Sequence, residues 1–349
     1  MTGIISTIGP GTFESDSIVK AALMGTNVFR VNLGKKDRDN ELIFYNYQMA
    51  KNKLRKYNRS IQLLVDLPTS RPRVDGIINQ EKLSLHSNVI ISDRKNDKDE
   101  TTIISNNFSN CLDDISVDDI ICIDNGKVKI KVLSINCKKK QIEGECIYCL
   151  GNLNISDSFS FPNNIKYKTL TNYEIEMLKL LKKEKIFVDY FALSFVNNDE
   201  DINFLKDSIR EYDFSNTKIL SKIETSEGVQ NIDGIIDLSD GIIIARGDLG
   251  LNIKIEELFN IENKLILKSK QYNKICVIAT QMLEKYAISG ELAYSEIIDI
   301  CFSLNQFVDF LMLSGESAGI LRPFKSISIL EHLISTKLEN KNGNRVWFM

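Results

Sequence analysis

Histidine is nearly absent from this chain of 349 residues: only His86 and His332 occur, each in an ordinary context. Imidazole is the usual proton shuttle near neutral pH, so any chemistry here should rest on other groups. Long apolar runs are missing as well, since stretches such as Ile275–Ala279 are far too short to cross a bilayer. Met1-Thr2-Gly3 leads straight into a strand-like run without the basic region and apolar core of a secretory leader, which sets the expectation of a cytoplasmic protein. No excess of one charge sign exists. The net charge is −3, with Lys and Arg interspersed among Asp and Glu, so neither nucleic acid nor a membrane is expected as a partner. A disulfide framework is lacking too. The seven cysteines are odd in number and scattered. Cys146 and Cys149 form a C-x-x-C with Cys137 upstream, but no second pair or nearby histidine completes a zinc site, so reduced thiols are expected.

What is present is a core-forming composition, 43% hydrophobic, in a chain long enough for one large domain and a smaller one. Short apolar runs read as strands at Ile4–Thr7, Asn27–Val31, Gln62–Val65, Tyr190–Ser194, Lys218–Lys222, Gly241–Ala245, Ile275–Ala279 and Phe310–Leu313. Amphipathic stretches lie between them, for example Glu256–Gln271 with Leu258, Ile261, Leu265 and Ile266 at helical spacing; a last helix is expected around Lys325–Leu338. This is the pattern of an α/β (β/α)8 TIM barrel. An open doubly wound sheet is disfavoured, because no glycine fingerprint or phosphate-binding loop follows the first strand. From about Arg73 to Pro162 the pattern becomes strand-like alternation (Asp119–Ile123, Lys127–Val132, Gln141–Tyr148) with turn signals such as Asp124-Asn125-Gly126. We therefore expect a barrel over residues 1–72 and 163–349, and a small all-β domain over 73–162 inserted after the third barrel strand, where it would act as a lid.

Catalytic groups of such barrels sit at the C-terminal ends of strands. Those ends carry Thr7, Arg30 with Asn32, Asp66, Ser194, Lys222 with Glu224, Arg246 with Asp248, Thr280 with Gln281, and Ser314 with Glu316. Glu224 and Asp248 offer carboxylate oxygens suited to Mg²⁺ or Mn²⁺; the competing reading is a pair of acids sharing Lys222 in a salt bridge. Gly247–Gly250 precedes a helical pattern, and its amides could hold a carboxylate or phosphate. Thr280 could do the same or be a plain helix cap. Arg30 could clamp a phosphoryl group or pair with Asp66. Ser314 and Glu316 could form a proton relay, or a turn and a helix-start acid.

These residues fall in a colinear series that resembles the pyruvate kinase family. The series runs Thr7-Ile8-Gly9-Pro10, Asn27-Val28-Phe29-Arg30-Val31-Asn32, Asp66 with Arg73, and Ser194-Phe195-Val196. It continues through Ser221-Lys222-Ile223-Glu224, Ala245-Arg246-Gly247-Asp248-Leu249-Gly250, Ala279-Thr280-Gln281-Met282-Leu283-Glu284 and Leu313-Ser314-Gly315-Glu316. The resemblance implies phosphoenolpyruvate and ADP/ATP as small-molecule substrates, in an assembly of identical chains. It implies Glu224 and Asp248 as ligands of Mg²⁺ (or Mn²⁺), and Lys222 as the group that stabilises the phosphoryl in flight. The substrate would be held by Arg30, Lys222, Gly247, Asp248 and Thr280; the nucleotide side would use Arg30, Asn32 and Arg73. Thr280, Ser314 and Glu316 would lie on the protonation route to the enolate.

The chain also departs from the pattern. The family's K⁺ site loses two oxygen ligands at Gly34 and Leu67 and keeps Asn32 and Asp66, which puts K⁺ activation in doubt; Lys35, Lys36 or Arg71 are candidates to supply the cation's charge. Asn197 stands where the family has Arg, and Leu292-Ala293-Tyr294 where it has Pro-Thr-Arg, with Glu296 and Asp299 kept. Asp157-Ser158 replaces a Lys-Gly near the nucleotide phosphates. No counterpart of the family's C-terminal domain is recognised, so no effector response of the usual kind and a smaller assembly built through barrel faces are expected. A diverged relative with another phosphoryl acceptor or aldolase-type C–C chemistry, and a non-catalytic binding subunit, are the alternative functions.

Overall fold

The computed structural model describes residues 2–35, 39–95, 100–124, 126–161, 165, 167 and 169–341. Lys36, Asn125, Pro162 and the expected end of the insert at residues 162–163 lie outside them. In chain order the strands are β1 (Gly3–Thr7), β2 (Thr26–Asn32), β3 (Gln62–Leu67), β4 (Gly76–Ile78), β5 (Asn88–Ser92), β6 (Thr101–Ile104), β7 (Ile120–Ile123), β8 (Val128–Asn136), β9 (Gln141–Cys149) and β10 (Phe159–Ser160). Then come β11 (Tyr190–Leu193), β12 (Lys218–Ile223), β13 (Gly241–Ala245), β14 (Ile275–Ala279) and β15 (Phe310–Leu313). Eight of them close a parallel barrel in the order β1-β15-β14-β13-β12-β11-β3-β2. The fold is a (β/α)8 TIM barrel, interrupted between β3 and β11 by a separate seven-stranded sheet.

The barrel's strands are apolar on both faces because both faces are covered. Along β13, Ile242 and Ile244 point outward to the helices, while Ile243 points inward. Every strand contributes to that inner layer, from Ile5, Val28 and Leu64 through Ala192, Leu220, Ile243 and Val277 to Met312. Alternation with a period of two thus fills the barrel with side chains and leaves polar chemistry only at its rims. Helix starts are locally encoded. Thr171 and Glu174 form a capping box for Asn172–Lys183, and the Asn198 side chain accepts from the Asp201 amide at the start of Asp199–Arg210.

The inserted sheet has its own core of Val89, Ile91, Ile103, Ile121, Ile130 and Phe159 among others. Its chain enters and leaves as one antiparallel pair. Arg73 is bridged to Ser158, the Val74 amide donates to the Asp157 carbonyl (2.8 Å), and the Phe159 amide donates to the Pro72 carbonyl (3.2 Å). In β9 the register against β8 skips one residue at Ile147, a bulge that turns Cys146 and Cys149 toward the same side. Both thiols are free, and burial pushes that of Cys146 up.

Candidate active site

The C-terminal mouth of the barrel and the overhanging insert enclose a cavity of about 240 Å³. Of the residues singled out in the sequence, Arg30, Asn32, Asp66, Arg73, Lys222, Glu224, Asp248, Thr280 and Ser314 all line it. Gly247 and Glu316 line an adjoining cavity of about 380 Å³, which shares Thr280 and Ser314 with the first.

A buried ion network forms the floor. Arg30 donates from Nε (2.8 Å) and Nη2 (2.6 Å) to Asp66 Oδ2, and from Nη1 to Thr7 Oγ1 (2.9 Å). Lys222 Nζ donates to Ser194 Oγ (2.8 Å) and lies 3.0 Å from Glu224 Oε1 and 3.5 Å from Asp66 Oδ2. The ion pair foreseen as the alternative for Arg30 is therefore formed, inside the same cavity that would receive a ligand; Lys222 is shared by Glu224 and Asp66, while the partner of Asp248 is Arg71. Burial works against the Asp66 anion, but Lys222 and Arg30 outweigh it and hold its carboxyl below the usual range.

Glu224 and Asp248, from neighbouring strand ends, behave oppositely. Burial, followed by the Asp248 charge, pushes the Glu224 carboxyl up despite Lys222 and the Phe195 amide, which donates to Oε2 at 2.7 Å. Burial would raise Asp248 too, but Arg71, bonded to Oδ1 at 2.8 Å, holds it down. Two oxygen-bearing acids of this kind fit a hard divalent cation. Among the described residues no group of three or more metal-binding side chains occurs, so the remaining ligands would be water and substrate oxygens.

A monovalent cation fits poorly. Asn32 Oδ1 already accepts the Gly34 amide (2.9 Å), Asp66 is occupied by Arg30, Lys222 and Ser194, and Leu67 is buried among the barrel helices. A Cβ at Gly34 would stand 2.4 Å from Arg73 Nη2. The Arg73 guanidinium thus lies against Gly34, and Lys35 and Arg71, the candidates from the sequence within the described residues, line the same cavity. Burial, then the nearby Arg71 charge, lowers the Arg73 pKa to about 10. Arg73 also donates to the Ser156 carbonyl of the insert (3.1 Å). Asp157 is a turn acid whose Oδ2 accepts the Asn154 amide (2.7 Å). Asn197 braces a loop, accepting from Thr225 Oγ1 (2.5 Å) and Asn231 (2.8 Å).

One local reading is extended and one corrected. Gly247–Gly250 precedes the helix Leu258–Gln271, as read, but lies within a short helix of its own, Arg246–Asn252, with the Gly247 amide donating to Thr280 Oγ1 (2.8 Å). Thr280 is not a helix cap. It and Gln281 have φ of 70° and 56°, and the next helix begins at Glu284. A β-branched residue with positive φ is strained, so something must hold it. Arg246 does so, donating to the Thr280 carbonyl (2.8 Å) and to Asp299 Oδ1 (2.6 Å). Glu316 helps by accepting the amides of Met282 (3.2 Å) and Ser314 (2.7 Å). The positioning roles of Arg246 and Arg71 were missed in the sequence. Arg246 carries no signal beyond its place at a strand end, and Arg71 none beyond its closeness to Asp66.

A (β/α)8 barrel with an inserted β sheet and this polar mouth defines a narrow class. The chain belongs to the pyruvate kinase family: the family description "Pyruvate kinase, barrel domain" matches residues 1–327. Pyruvate kinase of Thermotoga maritima is 29% identical over 332 residues, covering 94% of this chain and 69% of that protein. That of Bacillus licheniformis is 28% identical (99% and 58% covered), and that of Staphylococcus aureus strain MRSA252 is 27% identical (95% and 56% covered). The chain thus matches somewhat over half the length of these relatives.

Proposed function

We propose that this protein transfers a phosphoryl group from phosphoenolpyruvate to ADP, giving pyruvate and ATP, with Mg²⁺ or Mn²⁺ held by Glu224 and Asp248. The observation that carries this reading is the meeting of Lys222, Arg30, Asp66, Glu224 and Asp248 in one largely buried cavity at the barrel mouth. Phosphoryl transfer asks a protein mainly for positioning and charge neutralisation. A bound divalent cation would supply part of that neutralisation. Lys222, fixed by Ser194 and Glu224, keeps an ammonium where charge passes between donor and acceptor. Arg30, anchored on Asp66 and Thr7, presents a guanidinium of fixed orientation to the phosphoryl oxygens. Thr280 Oγ1 accepts the Gly247 amide, which leaves its own proton to donate toward the enolate carbon, with Ser314 beside it on the cavity wall. Glu316 supports this route by fixing the backbone of Ser314 and Met282.

A second reading, the same donor chemistry with another acceptor, is favoured by one observation. On the insert side Arg73 is folded against Gly34 and Ser156, while Asp124 and Asp157 line the cavity. The proposal extends to the remaining expectations: barrel boundaries at 1–72 and 163–349, a lid at 73–162, a cytoplasmic homo-oligomer, and no K⁺ requirement. Among the described residues no helix is long and apolar enough to cross a membrane. Lactate-dehydrogenase-coupled turnover with Mg²⁺, with and without ADP and K⁺, tests both readings. ADP-dependent pyruvate formation supports the first. Pyruvate formation without ADP, or tight phosphoenolpyruvate binding without turnover, sinks it.

A further inference from the structure

One arginine joins the two halves of the molecule at the site. Arg71 follows β3, is only 4% exposed, and lies with its guanidinium 4.4 Å from the centre of the Phe195 ring. Its Nε donates to the Phe159 carbonyl and its Nη2 to Ser160 Oγ, so it grips β10, the strand that pairs with β7 at the edge of the inserted sheet. The same Nη2 donates to Asp248 Oδ1 at 2.8 Å. A planar fork of fixed donors can serve strand and carboxylate together; a lysine ammonium reaches neither with that geometry.

We propose that Arg71 is a positioning residue that couples the seating of the insert to divalent-cation binding at Asp248. The inference rests on Glu224 and Asp248 being the metal-binding pair. A divalent cation at Asp248 competes with Arg71 for the carboxylate and repels its charge at close range. Cation binding therefore loosens the grip of Arg71 on Phe159 and Ser160, and by linkage a seated insert lowers affinity for the cation by the same factor. The empty site holds its lid down, and the loaded site frees it to re-seat on substrate.

Mn²⁺ binding, measured by electron paramagnetic resonance of the free ion, and amide exchange across residues 158–161 test this in wild type, Arg71→Met and Arg71→Lys. In wild type, saturating Mn²⁺ should speed exchange in that segment. Arg71→Met should bind Mn²⁺ about tenfold more tightly, with exchange fast whether or not Mn²⁺ is present. Arg71→Lys keeps the charge and loses the fork, so it should exchange fast and bind Mn²⁺ more tightly than wild type but less tightly than Arg71→Met. A merely structural arginine would not raise Mn²⁺ affinity on removal. Unchanged or weaker binding in Arg71→Met, or wild-type exchange indifferent to bound Mn²⁺, overturns the coupling. Should Arg71→Met not fold, Arg71→Lys decides alone, and exchange equal to wild type overturns the proposal. Glu224→Gln separates the two failures. If it binds Mn²⁺ like wild type, or wild type binds none, the metal reading fails and the coupling with it. If it has lost Mn²⁺ while the wild-type segment ignores the ion, only the coupling fails.

Discussion

Asp66 receives two nitrogens of Arg30 on one oxygen and lies within ion-pair reach of Lys222, while being 1% exposed. Asp66→Asn would leave two buried cations short of a counter-charge, a loss of about 3–5 kcal/mol at pH 7. Its carboxyl is depressed in the folded state, so its contribution is present above the ordinary value of 3.8 and is lost as pH falls through the lower folded one. Urea titrations should show the gap between wild type and Asp66→Asn narrowing as pH falls below 3.8. Glu224 differs, because burial favours its neutral form. Glu224→Gln should therefore cost less stability than Asp66→Asn and lose metal-dependent turnover, so near-full activity would mark the acid as structural only. Gly34 makes a third case, since any side chain there meets Arg73 Nη2. Gly34→Ala should cost about 1–2 kcal/mol alone and much less beside Arg73→Met, a coupling that a double-mutant cycle by chemical denaturation would read.

At the scale of elements, β13, β14 and β15 have the bounds that their apolar runs suggested, Gly241–Ala245, Ile275–Ala279 and Phe310–Leu313. Parallel strands buried on both faces spell themselves out as unbroken Ile, Val and Leu, with a polar residue where the barrel ends. Strands β4, β5 and β6 of the insert went unread, being only three to five residues long, with β4 paired to β6 and β5 to β9 across intervening segments. The Thr280 segment was illegible for another reason. Its left-handed backbone is imposed by Arg246 and Glu316 from other elements, and nothing in Thr280-Gln281 announces it. Removing that brace tests the point. Arg246→Met should cost about 3 kcal/mol or more, by leaving Glu262 and Asp299 without their cation. It should also lower kcat more than it raises KM if Thr280 acts in the chemical step as proposed.

At the scale of the whole molecule, two cores are joined at a neck. Barrel and insert bury separate apolar clusters, and the chain passes between them as the short antiparallel pair around Arg73 and Ser158. That neck bears on the order in which the protein assembles. Pairing β3 with β11 brings together partners far apart in sequence, as when the Leu63 amide meets Asp189, 126 positions on. An insert that has already folded ties its own ends together and shortens that loop to roughly a third, a saving of about 1 kcal/mol in closure entropy. The insert then serves the barrel before any ligand arrives, as a splint that brings the third and fourth staves within reach. Ile130→Ala, deep in the insert's core, should accordingly slow the refolding of the barrel followed by far-UV circular dichroism, though Ile130 belongs to the insert's own apolar cluster; an unchanged rate would mean that the barrel closes without it.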